Sequence, residues 1–257
     1  MKWLVYFSSD SRNCDAAAHN GYCQPPSQAL YSLIRMMSDP AAHLWELYWK
    51  NNANRDWWEK PAPEVLDLIE SLSPIERPKV LDLGCGLGRH AIAFALARFS
   101  VTATDASSAA IQHLNDWASS LQLPIETQVC DVLAPTLSDG DFDVVLSYNV
   151  LYHGRREQFA QAIRRVRELL KPRGIFFFTC PSRDDGKYGF GESVAPHTYR
   201  CTKSVTPGDT HYFANEEDLA ELLFGFQTLA CGKSEGYWDN QGEQQFYSNW
   251  HVHAERA

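Results

Sequence analysis

Apolar and polar positions change rhythm several times along the chain, and those changes mark its elements. From residue 79 onward, short apolar runs of strand length alternate with longer stretches of helical period. The runs near 79–84, 100–104, 125–130, 142–148 and 174–180 read as strands. Helical patterning occupies 88–98, 107–121 and 155–170, the last ended by Lys171-Pro172-Arg173-Gly174. Regular alternation at this spacing implies right-handed crossovers and a parallel sheet covered on both faces. A further helix from Asn215 to Leu223 leads into a strand near 226–232. A Gly- and Asn-rich turn then leads to a last strand, Gln245 to Ala254. A hairpin forces antiparallel pairing there, so the pattern predicts an α/β chain whose mostly parallel sheet is closed by an antiparallel strand.

The region before residue 79 follows other rules. Residues 8–28 are rich in Ser, Asp, Asn, Gln and Pro without any period, and read as a loop or disordered lead-in. Met37-Ser38-Asp39-Pro40 is a natural start for a folded unit, so residues 1–36 are expected to be an appendage and 37–257 the domain. An aromatic cluster follows: Trp45, Tyr48, Trp49, Trp57 and Trp58. The helical spacing of Trp45, Tyr48 and Trp49 puts one face against something, as in a helical lid sealed to the core. After Pro61-Ala62-Pro63 a helix runs from Glu64 to about Leu72, bounded by Ser73-Pro74.

Chemistry concentrates where the first strand ends. Lys79-Val80-Leu81-Asp82-Leu83 breaks into Gly84-Cys85-Gly86-Leu87-Gly88-Arg89 and becomes an Ala-rich helix. A glycine turn between a strand and a helix N-terminus brings unpaired N–H groups close to a nucleotide-like ligand, with no Cβ in the way. A dinucleotide fingerprint needs its third glycine where this chain has Arg89, and no Gly-Lys-Ser/Thr is present, so the pyrophosphate and P-loop readings fail.

This turn resembles that of the class I S-adenosylmethionine (SAM)-dependent methyltransferases, small-molecule branch. The resemblance rests on Val80 to Gly88, the acid ending Val101-Thr102-Ala103-Thr104-Asp105, the Cys130-Asp131-Val132 step, and Phe142 through Asn149-Val150-Leu151-Tyr152-His153. It covers about two-thirds of the chain, and tellurite-resistance-type and methyltransferase-domain-25-like proteins are similar in layout. It implies a Rossmann-like seven-stranded sheet and SAM as cofactor. Asp82 is then expected to accept from the ligand's ammonium, and Gly84, Cys85, Gly86, Gly88 and Arg89 to form its cradle. Asp105 would accept from both ribose hydroxyls, beside Ala106, which leaves room for adenine. Asp131 would accept from the adenine amino group, with Val132 packed on the ring. Asn149 and Val150 cross the active-site mouth, and Tyr48 belongs to the segment covering the methionine moiety. Competing structural readings are a helix cap for Asp105 and a loop cap for Asp131. The step Ser147-Tyr148-Asn149-Val150 lacks the Asp/Asn-Pro-Pro-aromatic signature of nucleic-acid amino-methyltransferases, and the double glutamate of protein arginine methyltransferases is missing.

Methyl transfer is an in-line displacement, and a base is needed only when the acceptor must lose a proton. Acceptor-side residues are expected in the irregular segment Ser182 to Tyr212, which is too long and polar for an ordinary connection and reads as a lid or binding insert. His153 and His211 are the candidates for acceptor contact or general base, against a purely structural role for each. His251 is weaker because it lies within a strand. Arg183 and Arg200 are the available contacts for an anionic acceptor. No metal centre is expected: Cys14, His19 and Cys23 are too few, and His251-x-His253 lacks a nearby acid.

The formal charge of −9 argues against a nucleic-acid partner, and the arginines at 164, 165 and 167 read as a solvated helix face. No apolar stretch approaches the ~20 residues of a membrane span, and Met1 to Phe7 is too short for a secretory segment. Seven scattered cysteines without C-x-x-C read as free thiols in a reducing cytoplasm. The expectation is therefore a cytoplasmic enzyme transferring methyl from SAM to a small molecule. A nicotinamide-dependent oxidoreductase and a non-catalytic SAM-binding partner stand as alternatives.

Overall fold

The computed structural model describes residues 40–51, 56–72, 78–240 and 243–257. The expected appendage at 1–36 lies outside these residues. Helix α1 (Pro40–Asn51) comes first, then a single 3-10 turn (Asp56–Glu59) and α2 (Pro63–Ser71). The alternating part runs β1 (Lys79–Leu83), α3 (Arg89–Leu96), β2 (Ser100–Asp105), α4 (Ser108–Ser120), β3 (Ile125–Val129), β4 (Phe142–Ser147), α5 (Arg156–Leu169) and β5 (Leu170–Pro181). Three short strands follow, β6 (Glu192–Ala195), β7 (Thr198–Arg200) and β8 (Thr210–Tyr212). Then come α6 (Glu216–Leu222) and the closing hairpin of β9 (Phe226–Asn240) and β10 (Glu243–Arg256).

Seven strands form one sheet in the order β3-β2-β1-β4-β5-β10-β9. The pairs among β1 to β5 are parallel, and β10 runs antiparallel to both β5 and β9. The chain leaves β1 toward one edge and resumes at β4 on the other side of it. That reversal opens a crevice at the carboxyl ends of β1 and β4, where sheets of this kind take their ligands. Side chains alternate across the sheet. Leu81, Val145, Phe176 and Phe178 join Phe159, Ile163 and Val166 of α5 on one face. Val80, Val144, Leu146 and Phe177 meet Phe94 of α3 and Leu114 of α4 on the other. Each face is thus a separate apolar layer, as covered parallel strands require.

Three boundaries differ from the expected ones. The Lys-Pro-Arg-Gly stretch does not merely end a helix: it lies inside β5. The register there jumps from Phe142 opposite Leu170 to Val144 opposite Ile175, and Arg173 adopts a left-handed φ of 64°. A bulge absorbs the residues that cannot continue the ladder. The closing strands are also longer than the pattern suggested, pairing continuously from Asn240–Glu243 to Phe226–Arg256 apart from one register shift at His253/Ala254. Segment 182–212 is not irregular throughout. Its strands form a small antiparallel sheet, β6-β7-β8, packed through Tyr188, Tyr199 and Phe213.

Candidate functional site

The glycine turn is shaped by positions that no side chain could occupy. Gly84 has φ 78°, and a Cβ there would collide with the Val150 side chain. Gly86 has φ 54°, and Trp49 of α1 packs against it, with Cζ2 3.1 Å from where a Cβ would stand. Cys85 between them is buried, which pushes its thiol well up. The turn leads straight into α3, whose first residue, Arg89, places its guanidinium over the rings of Trp58 (5.6 Å) and Tyr148 (5.3 Å). Arg89 also donates to the Lys60 carbonyl at 3.2 Å.

Asp105 braces this turn. Its Oδ2 accepts from the Gly86 amide and its Oδ1 from the Ser107 amide, both at 2.8 Å. The cap of α4 is not Asp105 but Ser107, whose Oγ accepts from the Ala110 amide. Each carboxylate oxygen of Asp105 has a second lone pair for an incoming hydroxyl. Ala106, half-buried, follows it. Past β3, Asp131 accepts from the Leu133 amide at 2.8 Å, so it does cap its loop, and Val132 packs against the core.

Asp82 is different. It is 1 % exposed, and its Oδ2 has no hydrogen-bond partner among the described residues. Burial raises its carboxyl to about 7, with the Ala91 amide and the Arg89 charge offsetting part of the effect. A buried carboxylate oxygen without a donor, at the carboxyl end of β1, is the feature a ligand's ammonium satisfies. The residues therefore fit SAM: an acid for the ammonium at Asp82, glycine backbone beneath the ligand, and a braced acid at Asp105.

Helix α1 closes over the turn, and Glu46 docks it. That carboxylate accepts from Ser107 Oγ (2.5 Å), Ser108 Oγ (3.0 Å) and the Ala109 amide (3.2 Å) at the N-terminus of α4, and pairs with Lys50 at 2.8 Å. Burial opposes its ionisation, but Lys50 and these donors win and hold its carboxyl down to about 2. Tyr48 accepts from Trp58 Nε1 at 2.8 Å, and Trp45, Tyr48, Trp49 and Trp58 pack edge to face. Nothing in the apolar pattern singled out Glu46. Its signal is an acid on the helix that also carries the aromatic face.

On the other side of the crevice, Asn149 stands two residues past the end of β4 and has a left-handed φ of 60°. Thr179 of β5 fixes it, accepting from the Asn149 amide and donating to Asn149 Oδ1, both at 2.8 Å. The chain then carries Val150 over Gly84 and brings His153 to β8. His153 Nδ1 lies 2.6 Å from Asp209 Oδ2, and its Nε2 lies 3.1 Å from the Asn149 carbonyl. Both neighbours are oxygen acceptors, and together they fix the orientation of the His153 ring.

Asp209 is the hub that the sequence reading missed. Trp45 Nε1 (3.2 Å) and Thr206 Oγ1 (3.3 Å) donate to its Oδ2, and the Thr210 amide (2.7 Å) to its Oδ1. Burial opposes its ionisation, yet His153 and His211 hold its carboxyl far below the usual range. His211 bridges to His153 in backbone pairing, stands 3.6 Å from Asp209 Oδ2 through Nε2, and has no hydrogen-bond partner for either ring nitrogen among the described residues. It is 2 % exposed, and burial lowers it to about 4. Asp209 and His211 sit two apart on an extended segment and so share one face. That spacing was the available signal.

Other candidates lie elsewhere. His251 Nδ1 faces Glu64 at 3.5 Å and Tyr148 beyond it, away from the His153–His211 pair. Arg183 pairs with Asp218 at 2.6 Å and Arg200 with Glu192, so both expected anion contacts are already engaged.

Known proteins share parts of this sequence and its fold. Residues 80–174 match the methyltransferase domain family. The ubiquinone biosynthesis O-methyltransferase of Coxiella burnetii is 29 % identical over 177 residues, 65 % of this chain and 73 % of that protein. The probable S-adenosyl-L-methionine-dependent methyltransferase TehB of Haemophilus influenzae is 31 % identical over 105 residues, 41 % of this chain and 35 % of that protein. The crystal structure of Burkholderia thailandensis 1,6-didemethyltoxoflavin-N1-methyltransferase superposes with a TM-score of 0.57 over 94 % of each chain at 19 % identity, a likeness of fold. With β10 inserted antiparallel beside β5 and the family match running from the glycine turn into β5, the fold and these relatives together support a class I SAM-dependent methyltransferase.

Proposed function

We propose that the protein methylates a small-molecule acceptor enclosed between the glycine turn, the aromatic lid of α1 and the insert at 182–212. The observation that carries this reading is the lid's double attachment. Glu46 fastens α1 to the cofactor side, and Trp45 reaches Asp209 on the acceptor side. A lid held at both ends suits an acceptor that fits inside, and the acidic chain offers no basic stripe for a polymer.

SAM supplies an electrophilic methyl on a sulfonium. The chain's own residues then have separable tasks. Asp82 holds the ammonium, Asp105 the sugar hydroxyls, and Asp131 with Val132 the adenine side, while Tyr48 and Trp49 shield the methionine end. Excluding water and aligning the acceptor account for most of the rate enhancement in such a displacement. His153 and His211 are the acceptor-side residues, ordered by Asp209.

The engaged state of Arg183 and Arg200 favours a metabolite acceptor over an oxyanion. The folded unit is taken to extend from 37 to 257. No helix among the described residues is long and apolar enough to cross a membrane. Cys85, Cys130, Cys180, Cys201 and Cys231 are all free thiols, which suits the cytoplasm. The test is a coupled S-adenosylhomocysteine assay over a panel of hydroxyl, amine, thiol and oxyanion acceptors, beside a tryptophan-quenching titration of SAM and NADH. Turnover of an organic acceptor with SAM-selective quenching is expected. Turnover confined to oxyanions, or quenching by NADH alone, would overturn the reading.

A further inference from the structure

We propose that His153, Asp209 and His211 form a binding site for one divalent transition-metal ion, with zinc as the probe. Each residue offers one ligand atom and these lie within 4.8 Å of one another, with Asp209 Oδ2 2.6 Å from His153 Nδ1 and 3.6 Å from His211 Nε2. Two imidazoles and a carboxylate are a donor set suited to Zn2+, Mn2+ or Fe2+, and three protein ligands leave positions open.

The surroundings are those of a metal centre. His153 directs its other ring nitrogen at the Asn149 carbonyl, which fixes the ring and leaves Nδ1 toward the cluster. The Thr210 amide holds the far oxygen of Asp209, and Trp45 Nε1 supports the near one. His211, by contrast, is buried with neither nitrogen hydrogen-bonded among the described residues, although Nε2 already faces the carboxylate. A neutral imidazole in that setting lacks a partner that an ion would supply. Tetrahedral ligands about 2.0–2.1 Å from zinc stand roughly 3.3 Å apart. The Asp209–His211 separation of 3.6 Å nearly meets this already, and the 2.6 Å His153–Asp209 contact, now bridged by a proton, must widen. If the methyltransferase reading holds, an open position faces the enclosed acceptor, and an oxygen or sulfur of that acceptor completes the coordination.

The competing account is a metal-free ion pair between protonated His153 and Asp209. To decide, the tag-free full chain is stripped with chelator and titrated with Zn2+ by calorimetry and with Co2+ by visible absorption, in the absence of SAM. One ion per chain is expected, with a ligand-field band. His211→Ala should weaken binding by at least about a hundredfold, and Trp45→Phe, which touches only the supporting shell, by about tenfold. His253→Ala should leave it unchanged. No binding by the unmodified chain overturns the proposal whatever the variants do, as does binding that survives His211→Ala or is lost in His253→Ala. SAM binding is measured on the same stripped sample. If SAM binds and the metal does not, this inference falls and the methyltransferase reading stands. If the metal binds and SAM does not, the site stands and its tie to an acceptor falls.

Discussion

Asp82 sets up a proton balance that can be read from outside. Its ordinary carboxyl value is 3.8, and burial in the folded chain moves it to about 7. Between those values the folded state holds a proton that the unfolded state has lost. Stability of the ligand-free protein should therefore fall as pH rises from about 4 to 7 and level off above, by on the order of 4 kcal/mol for this group. An ammonium beside Asp82 reverses the preference, because a cation favours the carboxylate. SAM binding near pH 6 should release close to one proton, visible as buffer-dependent heats in calorimetry, and affinity should climb up to about tenfold per pH unit until 7. Asp82→Asn should abolish both the proton release and the slope. Unchanged proton release in that variant would place the ammonium elsewhere. His211 makes the complementary case. Its ring neighbours are Tyr152, His153 and Phe213, all on the insert side of the crevice. With an acceptor identified by the panel, His211→Ala should cut turnover by roughly a hundredfold while SAM affinity by calorimetry barely changes. His251→Ala, beside Glu64, should not. Equal loss of turnover and SAM affinity in His211→Ala would make that residue structural.

Helix α1 is too short to be stable alone, so its place over the glycine turn depends on docking. Leu44 and Trp49 bury its apolar face, and Glu46 adds a carboxylate at the N-terminus of α4, where orphan amides and the helix dipole favour negative charge. Glu46→Ala should lower stability by about 1–3 kcal/mol in denaturant titrations. It should also weaken SAM binding, because Trp49 no longer rests on Gly86. Glu46→Gln keeps part of the hydrogen bonding and should lie between. If Glu46→Ala loses stability yet binds SAM as tightly as the parent, the lid does not cover the cofactor. The elements differ in how far they could be read beforehand. The strands from 79 to 148 and the glycine turn were legible because period, glycine and strand-end acid are all local features. The insert was not. Its strands are three or four residues long, and pairing across the chain, not local preference, holds them. Asp209 escaped for the same reason: its partners Trp45 and His153 lie 164 and 56 residues away. The Lys-Pro-Arg-Gly stretch carried a helix-stop signal, and only the register with β4 reveals it as a bulge inside β5.

At the scale of the whole molecule, the closing hairpin is a structural member of the sheet rather than an appendage to it. β10 lies between β5 and β9, pairing with β5 from Asn249 opposite Pro181 to Glu255 opposite Ile175. Trp250, Val252 and Ala254 enter the same apolar layer as Phe176, Phe178 and α5. Trp250 Nε1 donates to the Ala214 carbonyl at 2.9 Å, joining the hairpin to the chain leaving the insert. A chain ending at Gly225 would leave β5 with an unpaired edge and its aromatic layer in water, the combination that drives aggregation. Such a truncation should give insoluble protein or a broad, non-cooperative melt. Trp250→Phe tests the smaller part of the argument: it removes the indole N–H and part of a buried ring, while the Ala214 carbonyl keeps the Arg183 amide as donor, and should cost about 1–3 kcal/mol with cooperativity retained. A truncated chain that melts cooperatively and still binds SAM would mean that β1 to β5 fold without the hairpin. The acceptor half alone would then depend on it, because Ser248, which receives the Ser182 amide, and Asp185, which receives the Ser248 amide, tie β10 to the start of the insert.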